Sequence, residues 1–256
     1  MKYIQKTWSL LTLLILATIF ASCGATSHDD PSDDPITGTI IARYYPGEHS
    51  GEGYMQDSGG MRMKPRNKSL FSLLSEGVYR FDVSYKPSER SGDFYYVDIT
   101  SAIENLTCTD MAYCEAPEPS QPLIAVKYSD RLRPLFFDDD YLLFPVPFYS
   151  KFFESSNPGA DVPNHRFLLS YDPSNDQGVN SVMELTITDL LVGEKEADRG
   201  YGTFVYRAYK YSDYVKHFKE NNGVLSSIHI KGICNYEENS LEGAYEAECS
   251  LAVEDR

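Results

Sequence analysis

Residues 80–86, RFDVSYK, alternate strictly, with Phe81, Val83 and Tyr85 on one side and Arg80, Asp82, Ser84 and Lys86 on the other. A two-residue repeat exists only along an extended chain, so this run demands a strand with one apolar and one polar face. MELTITD, residues 183–189, repeats the pattern with Met183, Leu185 and Ile187. The runs GTIIARYY, DFYYVDI, PLIAVKY, YLLFPVPFY, HRFLLSY and GTFVYRAY are rich in β-branched and aromatic residues, and turn clusters such as GEHSGEG, DSGG, SERSGD and DPSNDQG separate them. The prediction is an all-β protein of antiparallel sheets. One short helix is expected near 212–222, with Ser212 as N-cap, Asp213 at its positive end, Tyr214, Val215 and Phe218 as its apolar face and Gly223 as its stop.

Ahead of the strands, Lys2 and Lys6 precede an uncharged run from Trp8 to Ser22. Its apolar core has the length of a signal-peptide h-region and is short for a membrane span. Ala21 and Ser22 stand immediately before Cys23. That order resembles the lipobox of bacterial lipoproteins, in which the cysteine is acylated and the chain is cut just before it. The resemblance implies a signal peptide over 1–22 and a membrane as partner through a lipidated Cys23, since two acyl chains already anchor stably. Residues 23–35, with Asp29, Asp30, Asp33 and Asp34 and no apolar stripe, are expected to be an acidic disordered tether. An acidic patch at this place resembles the export signal that carries Bacteroidetes lipoproteins to the outer face of the outer membrane. The expected location is therefore the outer membrane, facing the cell surface.

Removal of 1–22 leaves 21 basic against 38 acidic side chains, a net charge of −17. Such a balance argues against nucleic acid as a partner, because phosphate binding needs a strong basic field. Residues 115–122, EAPEPSQP, carry three prolines and no periodicity. They suggest a first domain over 36–115, a linker at 116–122 and a second domain over 123–256.

Setting Cys23 aside leaves Cys108, Cys114, Cys234 and Cys249. In an oxidising envelope an even count favours disulfides, and four cysteines allow three pairings. Spacing favours Cys108–Cys114 with Cys234–Cys249. Pairing SSIHIKGIC with AYEAECSLAV as a hairpin places Cys234 across from Cys249 on one inward face.

No G-x-S-x-G, H-E-x-x-H, phosphate-binding loop or dinucleotide fingerprint is present, and the five histidines have no evident partners. The expectation is a protein that is not an enzyme and uses no cofactor. Asp138, Asp139, Asp140, Glu237 and Glu238 read as solvated acidic turns. Asp172, Asn175 and Asp176 are weak calcium candidates, because their spacing does not match an EF-hand loop. Arg62, Lys64, Arg66 and Lys68 recur at every second residue, so a strand would align them as a cationic stripe able to meet an anionic glycan or a protein partner. Aromatic doublets such as Tyr44-Tyr45 and Tyr95-Tyr96 place one ring inward and one against a neighbouring strand.

The segments GYMQDSGGMRMKP, GVYRFDVSYKPSE, GDFYYVDITSAIENLT and DDDYLLFPVPFY, in that order after a lipobox, resemble the NigD-like lipoproteins of Bacteroidetes. The resemblance implies an OB-like barrel at the N-terminus, an immunoglobulin-like antiparallel sandwich after it, and an association with a bacteriocin locus; it assigns no residue a role. The expected function is a surface-exposed, lipid-anchored binding protein without catalytic activity. The rival is a glycan-binding or glycan-processing accessory of a polysaccharide-utilisation system.

Overall fold

The computed structural model describes residues 33–49, 52–152, 160–175, 181–193 and 198–253. The signal peptide, Cys23, the tether up to residue 32 and Asp176 lie outside the described residues.

The alternating run at 80–86 sits in β4 (Gly77–Tyr85), which lies antiparallel to β1 (Ile36–Tyr45) from Ile36 opposite Tyr85 to Tyr44 opposite Gly77. On its other edge β1 meets β2 (Tyr54–Asp57), which turns into β3 (Arg62–Pro65). β3 runs parallel to β6 (Phe94–Ile99), and β6 returns to β4, closing a five-stranded barrel. The two-residue strands β5 (Arg90–Ser91) and β7 (Glu104–Asn105) extend its edges. Phe81 and Val83 point inward with Ala42, Tyr44, Met55, Met63 and Val97, as the alternation predicts. This is the OB-like barrel expected of the N-terminal half.

Two sheets form the rest. The first holds β10 (Leu135–Phe136), β11 (Tyr141–Ser150), β14 (Tyr201–Lys210) and β8 (Thr107–Cys108). The second holds β16 (Tyr245–Ala252), β15 (Ser227–Cys234), β13 (Val182–Leu191), β12 (His165–Ser170) and β9 (Met111–Ala112). Phe144, Val146 and Phe148 of β11 share one core with Phe167 and Leu169 of β12, Met183, Leu185 and Ile187 of β13, and Ile228 and Ile230 of β15. The helix α1 (Ser212–Asn222) adds Tyr214 and Phe218 to that core and ends at Gly223, whose φ of 86° suits a residue without a Cβ. Tyr211, not Ser212, occupies its N-cap position, and no side chain caps the helix there.

Three pairings, β8 with β14, β9 with β12 and β13 with β15, are parallel and depart from an all-antiparallel sandwich. The first two arise from the crossing between domains. Leaving β7 in the barrel, the chain adds β8 to the first sandwich sheet and β9 to the second within eight residues. Residues 107–112 therefore belong to the sandwich, and Cys108 is part of its core. The proline-rich segment at 116–122 lies inside the second domain and does not mark the boundary.

The structure also corrects the cysteines: Cys108, Cys114, Cys234 and Cys249 are all free. In the β15–β16 hairpin Cys249 faces Ile230, and Cys234 faces Tyr245. The register differs by four residues from the one that would bring the two thiols together. Parity survives, so both cysteines point inward, yet they are separated by about 13 Å of strand at ~3.3 Å per residue. A disulfide needs its Cα atoms within about 7 Å. Cys108 lies buried in the first sheet, whereas Cys114 is exposed beyond the strand that joins the second.

A single arginine clamps barrel to sandwich. Arg43, 8% exposed on β1, donates from Nη1 to Asp140 Oδ2 at 2.6 Å and to Asp138 Oδ2 at 3.1 Å, and from Nη2 to Glu76. Its guanidinium carbon lies 4.7 Å from the centre of the Tyr45 ring and 5.1 Å from that of Tyr141. Burial opposes the charge, but the three carboxylates outweigh it and raise the Arg43 pKa. Asp138 and Asp140 are thus not a solvated turn. Beneath them Val78 and Leu106 pack on Phe137, Tyr141, Leu143 and Ala208, an apolar seam between the domains.

Candidate functional site

Two prolines open the site. β10 covers only Leu142 and Leu143 of β11. Beyond them β11 carries Pro145 and Pro147, which have no N–H to give to a further strand. The loop from Leu123 onward runs along that open edge instead. The Ile124 N–H donates to the Pro147 carbonyl (3.1 Å), while the Leu123 N–H donates to the Ile233 carbonyl (2.9 Å). One dipeptide thus fastens both sheets. The loop then closes on itself, with the Tyr128 and Ser129 N–H groups donating to the Leu132 carbonyl at 3.0 and 3.2 Å.

Between this loop, the outer face of β11 and β14, and the segment after β15 lies a groove of about 420 Å³. That volume falls in the range of small-molecule sites. Strand pairing sets the floor, with Pro147 opposite Phe204 and Tyr149 opposite Gly202. Gly202 leaves room for the loop, since a Cβ there would stand 3.1 Å from Ile124 Cδ1. The walls are aromatic and open to solvent: Tyr128 is 48% exposed, Phe204 41% and Tyr236 61%. The Tyr128 and Tyr236 rings lie 6.0 Å apart with their planes at 30°.

Asn235, 7% exposed, holds the segment that carries Tyr236 and Glu237. Its side-chain oxygen accepts from the N–H groups of Glu237 (3.1 Å) and Glu238 (3.3 Å), and its Nδ2 donates to the Ser240 carbonyl (2.9 Å). The Tyr149 hydroxyl donates to the Asn235 carbonyl at 2.9 Å. Hydrogen bonding with Tyr236 pushes the Tyr128 phenol up, and burial does the same for Tyr149, so these hydroxyls stay protonated at neutral pH. The lining therefore offers flat apolar faces, phenolic hydroxyls and one carboxylate, Glu237. A ligand with an apolar face edged by hydroxyls matches it.

Other residues singled out from sequence are placed differently. Of the cationic stripe, only Arg62 and Lys64 share the outer face of β3, with Met63 and Pro65 buried opposite. Their cationic groups rest on rings, Arg62 at 5.6 Å from Tyr54 and Lys64 at 4.3 Å from Phe94. Arg66, beyond the strand end, pairs with Glu89 and with Asp98 at 3.3 Å. Lys68 begins a 3₁₀ turn. Asp172 Oδ1 accepts from the Ser174 N–H (3.0 Å) and hydroxyl (2.7 Å), a local turn, and among the described residues no three acidic, histidine or cysteine side chains are grouped as metal ligands would be. Tyr45 stacks on Tyr54 at 5.0 Å and 14°, the outward ring of its doublet covering a neighbouring strand.

His165, expected without a partner, is the centre of a buried polar cluster. Its Nδ1 lies 3.0 Å from both oxygens of Asp189, and its Nε2 lies 3.3 Å from Asp161 Oδ2. Arg199 Nε donates to the same Asp161 oxygen at 3.0 Å, and Gln121 Nε2 donates to Asp189 at 2.7 Å. The side chains of His165, Asp161 and Asp189 are fully buried, and the cluster joins β12 to β13.

A closed barrel fused to a two-sheet sandwich that presents a ligand-sized aromatic groove defines a two-domain all-β protein. No protein-family model matches the chain, and no curated protein is significantly similar to it. Solved structures share the fold. A protein from Bacteroides fragilis described as a candidate lipoprotein superposes with a TM-score of 0.72 at 14% identity, over 85% of this chain and 98% of that one. A DUF1344 protein of unknown function from Bacteroides vulgatus gives 0.54 at 12% identity over 86% and 92%, and an uncharacterised protein from Parabacteroides merdae gives 0.54 at 10% over 85% and 100%. At these identities the likeness is one of fold.

Proposed function

We propose that this chain is a lipid-anchored, non-enzymatic binding protein of the outer-membrane surface, of NigD-like type, and that its groove holds a carbohydrate chain. The observation that carries the reading is the ring of exposed Tyr128, Phe204 and Tyr236 around an apolar floor. Exposed aromatic rings cost solvation unless a ligand covers them, and sugar rings present a C–H face to stack on and hydroxyls for the phenols and Glu237. Glycoside hydrolysis uses two carboxylates across the bond, and the groove lining has one. Anchoring rests on the lipobox-like order before Cys23, and the candidate-lipoprotein fold neighbour from Bacteroides fragilis supports it.

A glycan array with the chain carrying Cys23→Ser tests the ligand class. Binding to a defined glycan is expected, weakened about two- to twelvefold by Phe204→Ala or Tyr236→Ala, given ~0.5–1.5 kcal/mol per ring contact. No glycan bound, or binding indifferent to both substitutions, would remove the groove from the account. Fractionation of Cys23→Ala tests the anchor, since a variant that stays with the membrane is held by something else.

A further inference from the structure

Among the described residues five arginines meet carboxylates: Arg43 meets Glu76, Asp138 and Asp140, Arg66 meets Glu89 and Asp98, Arg80 meets Glu104, Arg166 meets Asp110 and Arg199 meets Asp161. Arg62 and Arg90 have no carboxylate partner among the described residues, and both line the same hollow of about 400 Å³ on the barrel. Each is oriented in the same way. Arg62 Nε donates to Gln56 Oε1 at 3.1 Å with its guanidinium 5.6 Å from the Tyr54 ring centre. Arg90 Nε donates to the Gly92 carbonyl at 2.9 Å with its guanidinium 5.4 Å from that of Tyr95. Ring and Nε bond fix the plane of each fork, and the terminal nitrogens keep their hydrogens for another acceptor. One carboxylate, Asp93, shares the lining, so the three charged groups sum to a single positive charge.

The hollow also marks where the chain arrives. Ile36, the first residue of β1, lines it, and three residues earlier Asp33 bonds Ser88 and lies 3.6 Å from Lys86 Nζ. From Cys23 to Ile36 an extended chain spans at most about 45 Å, so the proposed anchor holds this end of the barrel within that reach of the lipid surface.

We infer that the hollow binds a phosphate group through the paired forks of Arg62 and Arg90, and that the phosphate is that of an anionic lipid headgroup in the anchoring membrane. Two planar guanidinium groups match phosphate oxygens, and basic recesses close to a bilayer take headgroups in this way. The lipid source rests on the anchoring reading; the phosphate chemistry does not.

The test uses the chain carrying Cys23→Ser, whose change lies outside every described contact. Inorganic phosphate is titrated calorimetrically, and sedimentation is measured with phosphatidylcholine vesicles made with and without phosphatidylglycerol. Saturable phosphate binding is expected, weakened about fivefold by either Arg62→Gln or Arg90→Gln, from ~1 kcal/mol per basic residue, and strengthened by Asp93→Asn. Phosphatidylglycerol vesicles are expected to bind in competition with phosphate. Arg131→Gln, which removes the same charge elsewhere, is expected to change neither. No phosphate binding, or equal losses from Arg131→Gln, overturns the site. Phosphate binding without vesicle binding keeps the site and overturns the lipid source. Retained vesicle binding with membrane release of Cys23→Ala in cells separates this inference from the anchoring reading.

Discussion

Replacing Arg43 by Met removes the clamp between the domains, the guanidinium that lies over the Tyr45 and Tyr141 rings included, while keeping an apolar stem of similar length. The magnitude follows from exposure. The Arg43 side chain is 10% exposed, against 47% for Glu76, 23% for Asp138 and 36% for Asp140. Hydrogen bonds to charged groups contribute about 1.5–3 kcal/mol each when buried. Screening at the half-exposed Glu76 reduces its share to below about 1 kcal/mol, and the two aspartates are discounted to about 1 kcal/mol each. The loss is therefore about 3 kcal/mol, or roughly 6–12 °C in Tm for a chain of this size. Neutralising Asp138 and Asp140 together in the Arg43→Met background is expected to cost little further, giving a coupling of about 1–2 kcal/mol in a double-mutant cycle. The single tryptophan is Trp8, ahead of Cys23. Far-UV circular dichroism and calorimetry are therefore the assays of choice for a chain without residues 1–22. Wild-type stability in Arg43→Met, or a coupling near zero, would show that the seam of Val78, Leu106 and Phe137 holds the domains without the clamp.

Asp161 extends the same logic to pH. Burial pushes its carboxyl up, but bonds from Asn164, the Lys151 N–H, His165 and Arg199 prevail and bring it down to about 2. Its contribution, about 2 kcal/mol, is present above the ordinary carboxyl range and is lost as pH falls from about 4 towards 2. Asp161→Asn is expected to destabilise the protein at pH 7 and to flatten this acid limb; an unchanged limb in thermal melts would refute the assignment. For the cysteines, thiol titration of the Cys23→Ser chain without reductant is expected to count four thiols when denatured. In the native protein the exposed Cys114 reacts first, and Cys234, whose thiol burial raises to about 12, resists. A count of two or none would restore a disulfide.

Much of the fold was written in periodicity. The faces of β4 and β13 and the apolar side of α1 follow from alternation at 80–86 and 183–189 and from Tyr214, Val215 and Phe218. Period-two patterns specify a face but not a register, because a slip by an even number keeps every inward residue inward. That degeneracy is where the Cys234–Cys249 pairing failed: the hairpin length is set by Asn235 and its turn, a local bond that leaves no trace in the alternation. Strands of two residues, such as β7, β8 and β9, carry no period at all, so the domain crossing could not be read. The groove was illegible for a different reason. Tyr128, Phe204 and Tyr236 come from three separate segments, and only folding gathers them. The prolines of YLLFPVPFY were its one sequence signal, as residues unable to pair on an open edge.

The threading of residues 104–112 through all three sheets also decides how the molecule bears load. Tension applied at the start of β1 would act along nearly the whole length of β4, so it would meet those hydrogen bonds in shear. From there the pull does not reach the sandwich through a free hinge. It is divided at once, because β8 delivers it to β14 and β9 to β12 on the opposite sheet. A load on the groove is thus shared by both layers at the joint.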